Sequence, residues 1–193
     1  LSMYQDRFKD ASDFTFIFVG NVDVEKMKPV IAEYLGALPA VNRKETFKDN
    51  KIEMRQGIYK NEFTKQQETP KASVFAFYNG DCKYDLRNNL LLSMTSQILD
   101  LVYTEKVRED EGGTYGVYVG GTLQKYPKEK AILQIIFDTA PEKKEKLMKI
   151  IFGEIDNITK TGPSEANLNK VKEYMLKKHT EDLKENSYWL GSI

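Results

Sequence analysis

The amino-acid sequence predicts an α+β fold in which helices pack on one face of a mainly antiparallel or mixed sheet. Strand-like segments tend to occur as adjacent pairs along the chain, and segments with helical periodicity follow them. The element order that results is β-α-β-β-α-β-β-α-α. This order differs from the strict strand–helix alternation of a doubly wound parallel sheet. A chain of 193 residues, 40% of them hydrophobic, is also long enough to bury one core.

Each predicted element has a pattern of its own. The strands are either apolar throughout or alternate apolar with polar residues, and they cover residues 14–22, 52–63, 72–80, 114–122 and 131–138. The helices have apolar side chains at intervals of three and four residues. Four helices are predicted. The first begins after a capping Asp23, the second runs from 84 to about 106, the third begins at Ala140–Pro141, and the fourth begins after a capping Ser164.

Composition excludes several classes of function. Lys and Arg together number 29, and Asp and Glu together also number 29, so the formal net charge is zero. This balance argues against nucleic acid or an anionic membrane surface as the main partner. No apolar run is long enough to span a bilayer. The one cysteine, Cys82, cannot form an intrachain disulfide, and we interpret it as a free thiol near the surface.

Familiar catalytic motifs are missing from the sequence. A catalytic zinc site needs about three side-chain ligands, but His179 is the only histidine, and a packed or surface histidine is its simpler interpretation. No Gly-x-Ser-x-Gly segment and no Gly-Lys-Ser/Thr loop occurs. The sequence therefore predicts no metal site, no histidine-based triad and no nucleotide site in this chain.

The segment "VREDEGGTYGVYV" is the candidate functional site. Arg108 ends the long predicted helix, and Tyr115 opens the next strand after the turn at Gly112 and Gly113. A cation at a helix end, an aromatic residue in a strand and a glycine turn each have an ordinary structural explanation. Together, however, they predict a guanidinium and a phenol close in space, which suits a peptide carbonyl oxygen or the oxyanion formed from it.

This segment resembles the arginine–tyrosine motif of the pitrilysin/insulysin zinc metallopeptidases, the inverzincins. "FTFIFVGNVDVEKMKPVIAEYLGALP" is similar to their first strand and helix, and "TGPSEANLNKVKEYMLKKH" is similar to the helix near their domain end. The resemblance extends over about residues 12–190. It implies an α+β half-domain that lacks the zinc motif His-x-x-Glu-His, while a homologous partner domain carries the zinc.

The resemblance also implies different roles for this chain and for the metal-bearing domain. Arg108 and Tyr115 would bind the peptide substrate and stabilise the oxyanion at a zinc held by the metal-bearing domain, and Gly112 and Gly113 would shape the turn. Such a chain needs no cofactor of its own and would be inactive alone. The alternative is a catalytically inactive structural or peptide-binding module on the same fold. No role is assigned to Glu109, Asp110 and Glu111.

The chain is predicted to be a piece of a larger protein. It begins at Leu1 rather than Met, and its last residues include apolar side chains such as Trp189 and Leu190. We expect residues 1–193 to form a single domain cut out of a multi-domain chain, with 1–12 and 186–193 as remnants of neighbouring segments. The compartment is open; it would be extracytoplasmic or periplasmic for a bacterial parent with a signal peptide.

Overall fold

The computed structural model describes residues 1–46, 48–109 and 114–193; for Arg108, Glu109, Thr114 and Tyr115 only the backbone is described. The chain divides into two compact units. One comprises Lys51–Met175, and the other combines Leu1–Asn50 with Leu176–Ile193. No helix in the described part of the chain is both long and apolar enough to cross a membrane.

The unit Lys51–Met175 contains an antiparallel sheet of three strands. They are β1 (Ala72–Asp81), β2 (Thr114–Gln124) and β3 (Lys130–Thr139), in the order β1-β3-β2. The strands β2 and β3 follow each other as a hairpin, and β1 pairs with the other side of β3 over its whole length. This sheet confirms the predicted segments 72–80, 114–122 and 131–138.

Helices supply the second layer of this unit. α3 (Leu86–Tyr103) leads into a π-helical turn at Thr104–Glu109, and α4 (Lys144–Thr161) follows the short 3-10 helix Pro141–Lys143. α5 (Glu165–Asp182) begins in this unit, after Ser164 has accepted a hydrogen bond from the backbone N–H of Asn167 at 3.2 Å. That bond confirms the predicted cap.

The core lies between the sheet and the helices. Its fully buried side chains come from α3, from the π-helical turn, from β3 and from α4, and they include Leu99, Tyr103, Val107, Ile135, Phe137, Leu147 and Ile151. On the opposite face of the sheet Phe75, Phe77 and Tyr118 are half or more exposed. The helices therefore cover one face of the sheet, which confirms the predicted α+β class.

The second unit is mainly helical. It contains α1 (Ser2–Phe8), α2 (Val24–Tyr34), the end of α5 and α6 (Asn186–Ser192). Asp23 caps α2, as predicted, by accepting a hydrogen bond from the Lys26 backbone N–H. Asp10 accepts hydrogen bonds from Ser12 and from the backbone N–H groups of Val41 and Arg43; these bonds, led by that from the Ser12 hydroxyl, lower the pKa of its carboxyl group.

Two of the five predicted strands are absent from the described structure. Residues 14–22 and 52–63 have no regular secondary structure, and Phe16 and Ile58 are 45% and 96% exposed. An apolar or alternating pattern reports a tendency to be buried, whereas a strand also needs a backbone partner. The segment 52–63 instead contacts the rest of its unit through side chains, because Glu53 forms ion pairs with Lys128 and Lys130.

Candidate active-site segment

The helix that carries Arg108 ends in an unusual way. Asp85 caps α3 by accepting a hydrogen bond from the Asn88 backbone N–H at 2.8 Å, and the helix stays α-helical to Tyr103. The sequence predicted one helix to about residue 106, but Thr104–Glu109 forms a π-helical turn instead. Val107 in this turn is fully buried. Such turns often occur at functional sites.

A buried tyrosine fixes the start of this π-helical turn. Tyr103 is 0% exposed, and its hydroxyl donates a hydrogen bond to the backbone carbonyl of Ile151 in α4 at 3.0 Å. Burial, with smaller contributions from the nearby Tyr78 and Glu154, raises the pKa of Tyr103. The hydroxyl therefore keeps its proton at neutral pH and remains a donor, which ties the end of α3 to α4.

The strand that carries Tyr115 also begins irregularly. Thr114 pairs with Thr139 and Val117 pairs with Phe137, so two residues of β2, Tyr115 and Gly116, stand opposite one residue of β3. This is the pattern of a β-bulge, which bends the strand and is common next to active sites. The two predicted donors are thus both carried by irregular backbone, one at each side of the connection between α3 and β2.

Asp138 is the residue of β3 that faces the bulge. It belongs to the face of the sheet opposite the core, since its neighbours Phe137 and Thr139 are buried. The Ser73 hydroxyl donates a hydrogen bond to its carboxylate at 2.6 Å, and the Lys71 ammonium lies 3.0 Å away. Both contacts lower the pKa of Asp138, the Ser73 bond first, so the group is anionic at neutral pH.

Sequence reasoning did not single out Asp138. Asp138 lies opposite the bulge because of the register between β2 and β3, and no local sequence pattern predicts that register. The one available signal was its place at the end of an apolar strand, directly before Thr139 and Ala140.

The structure places the two predicted donors on elements whose backbones approach each other, the π-helical turn and β2. Arg108 lies in the π-helical turn and Tyr115 lies in the bulge. Gly112 and Gly113, like Asp110 and Glu111, lie outside the described residues. The close approach of the guanidinium and the phenol therefore stays a prediction.

The described residues do not fit a zinc site. They contain no group of three or more His, Cys, Asp or Glu side chains placed to hold a metal ion. His179 is exposed, and its ring contacts Tyr188, with 3.4 Å between Nδ1 and the tyrosine hydroxyl oxygen. The surface interpretation of His179 is confirmed, and no metal-dependent step can be derived from the described side chains.

Comparison with known proteins identifies the family. Residues 1–175 match the family described as the Peptidase M16 inactive domain. A curated relative, a "Zinc protease PQQL-like" protein of Arabidopsis thaliana, is 24% identical over 96% of this chain, which spans only 21% of that protein. The chain therefore corresponds to about a fifth of the length of the curated relative that it matches.

Solved structures share the fold at low sequence identity. A protease from Helicobacter pylori has a TM-score of 0.75 and 16% identity over 90% of this chain and 42% of its own. The periplasmic protease PqqL from Escherichia coli has a TM-score of 0.69 and 20% identity over 88% of this chain and 19% of its own. These likenesses and the family match confirm the resemblance to the non-metal-binding half of zinc metallopeptidases. The chain belongs to the Peptidase M16 inactive domain family.

Proposed function

We propose that this chain is the substrate-clamping half of a zinc metallopeptidase. Arg108 and Tyr115 donate hydrogen bonds to a peptide carbonyl oxygen and to the oxyanion that replaces it when the peptide bond is attacked. A metal-bearing domain, in the same chain or in a partner chain, supplies the zinc. The family match and the zinc-protease name of the Arabidopsis relative support this assignment.

One observation carries the proposal. The backbone departs from regular geometry at both predicted donors, as a π-helical turn at Arg108 and as a bulge at Tyr115. π-turns and β-bulges are both frequent at functional sites, and here one occurs at each predicted donor.

The chemistry of the two side chains fits the substrate. A guanidinium offers several N–H donors in a fixed plane and stays charged, so its attraction grows as negative charge develops on the carbonyl oxygen. A phenol adds one neutral O–H donor, and neither group needs to transfer a proton. Their task is to stabilise charge, while water activation is left to the metal-bearing domain.

The test is peptide hydrolysis by the full-length protein, with bound zinc measured. We expect hydrolysis to be lost on chelation and restored by zinc. We expect Arg108→Lys to lower kcat/KM roughly tenfold with zinc content unchanged, because lysine keeps the charge but loses the planar set of donors. Hydrolysis that resists both chelation and Arg108→Lys would contradict the proposal, and a protein that binds peptides without cleaving them would support the alternative of a binding module.

A further inference from the structure

The end of α3 and the π-helical turn that follows it are attached to α4 and to the core that α4 shares at three points. Tyr103 donates its hydroxyl hydrogen bond to the Ile151 carbonyl, and Val107 is fully buried in the core that Ile151 shares. Between them, the Lys106 ammonium lies 2.6 Å from a carboxylate oxygen of Glu154. The first two attachments belong to the ordinary core, whereas the third is an ion pair at its edge.

The Lys106–Glu154 pair differs from a typical surface ion pair. Its partners are 48 residues apart and join two elements; the Glu154 side chain is 16% exposed and the Lys106 side chain is 46% exposed. The pair Lys178–Asp182, at 2.8 Å, instead joins two successive turns of α5, and its partners are 50% and 29% exposed. The two lysines are about equally exposed, so the feature that distinguishes the Lys106–Glu154 pair is that it links two different elements.

The position of this pair bears directly on Arg108. Lys106 precedes Arg108 by two residues within the same π-helical turn. A π-turn is a rare, single-turn departure from the α-helix that is frequent at functional sites. A cross-link at residue 106 therefore limits the rotation and the shift of the backbone that carries the guanidinium.

We propose that Lys106 and Glu154 are positioning residues, which hold the π-helical turn against α4 so that Arg108 meets the substrate carbonyl. This inference rests on the proposed function of Arg108. It assigns no contact between Lys106 or Glu154 and the substrate. Loss of the pair should therefore act on catalysis through Arg108 and should have little effect when Arg108 is absent.

A double-mutant cycle in the full-length protein tests the inference. We expect Lys106→Met, which keeps an unbranched side chain of nearly the same length without its charge, to lower kcat/KM about three- to tenfold, a change within the range of coupling between neighbouring residues. In an Arg108→Ala background, the same substitution should change kcat/KM by less than about twofold. Lys106→Arg should retain most of the activity, since it can still pair with Glu154.

Lys178→Met is the matched control, because it removes an ion pair of similar length elsewhere in the chain; its kcat/KM should not change. Glu154→Gln gives a second, independent variant at the other end of the pair and should lower kcat/KM in the same way. Equal losses for Lys106→Met with and without Arg108, or no loss at all, would overturn the inference. If Arg108→Ala itself left kcat/KM unchanged, the proposed role of Arg108 would be contradicted. The cycle therefore distinguishes an error in the proposed function from an error in the positioning role of Lys106 and Glu154.

Discussion

Replacing Tyr115 by phenylalanine in the full-length protein is expected to lower kcat for peptide hydrolysis by about 10²- to 10³-fold, with zinc content unchanged. The substitution removes one hydroxyl and retains the ring, so the strand should keep its packing. Loss of a single oxyanion donor costs about this much in other enzymes, because the donor acts mainly on charge that exists in the transition state. The effect should therefore appear in kcat more than in KM.

Tyr118→Phe is the matched control for this experiment. Tyr118 lies three residues further along β2, is 55% exposed, and its hydroxyl has a long contact of 3.5 Å with Gln134. Removing that hydroxyl should change kcat by less than about twofold, since a weak exposed hydrogen bond contributes little. Equal losses of kcat in both variants would mean that β2 is sensitive to the loss of either hydroxyl. That result would contradict a special role for Tyr115. Normal turnover with Tyr115→Phe would leave that residue as an ordinary strand aromatic.

The elements that the sequence predicted correctly are those with local signals. Asp23 and Ser164 cap their helices with their own side chains, and the apolar spacing within 84–106 is a property of one continuous segment. The three strands of the sheet have a high apolar content, and the short connection between β2 and β3 makes these two a hairpin. Such signals need no knowledge of distant residues.

The errors arise where structure depends on distant partners. Residues 14–22 have the composition of a strand, but no described strand pairs with them. Over a single turn, an α-helix and a π-helix place apolar residues at similar intervals, so the pattern could not reveal the π-helical turn that follows Tyr103. The bulge at Tyr115 exists only relative to Asp138, which lies more than twenty residues later in the sequence.

The candidate site shows the same division. Arg108 and Tyr115 were predicted from one short continuous segment, by its helix end, glycine turn and strand start and then by its resemblance to a known family. The Lys106–Glu154 pair was not found, because its partners are 48 residues apart and each is an ordinary charge on a helix. A continuous motif thus suggests candidate substrate-binding groups more readily than it suggests the distant pair that we propose to position one of them.

The contact between α3 and β2 gives the largest expected effect on stability. A Cβ atom added at Gly121 would lie 2.6 Å from the Ser96 hydroxyl oxygen and 2.7 Å from Leu92 Cγ, both on α3. The Ser96 side chain is nearly buried and donates a hydrogen bond to the Leu92 carbonyl, so it cannot easily move aside. We expect Gly121→Ala to lower the free energy of unfolding by about 1–3 kcal/mol, the usual cost of overpacking, measured by urea denaturation followed by circular dichroism.

Gly120→Ala is the control, because it makes the same glycine-to-alanine substitution at the neighbouring position of β2. A Cβ atom there would meet only the far end of the Tyr118 ring, 2.5 Å from its hydroxyl oxygen, and this half-exposed ring can rotate away. Gly120→Ala should therefore change the free energy of unfolding by less than about 0.5 kcal/mol. Leu92→Ala should recover part of the loss in the Gly121→Ala background, because it vacates the space that the new methyl group needs. A Gly121→Ala protein that keeps its full stability would mean that α3 does not approach β2 as closely as described.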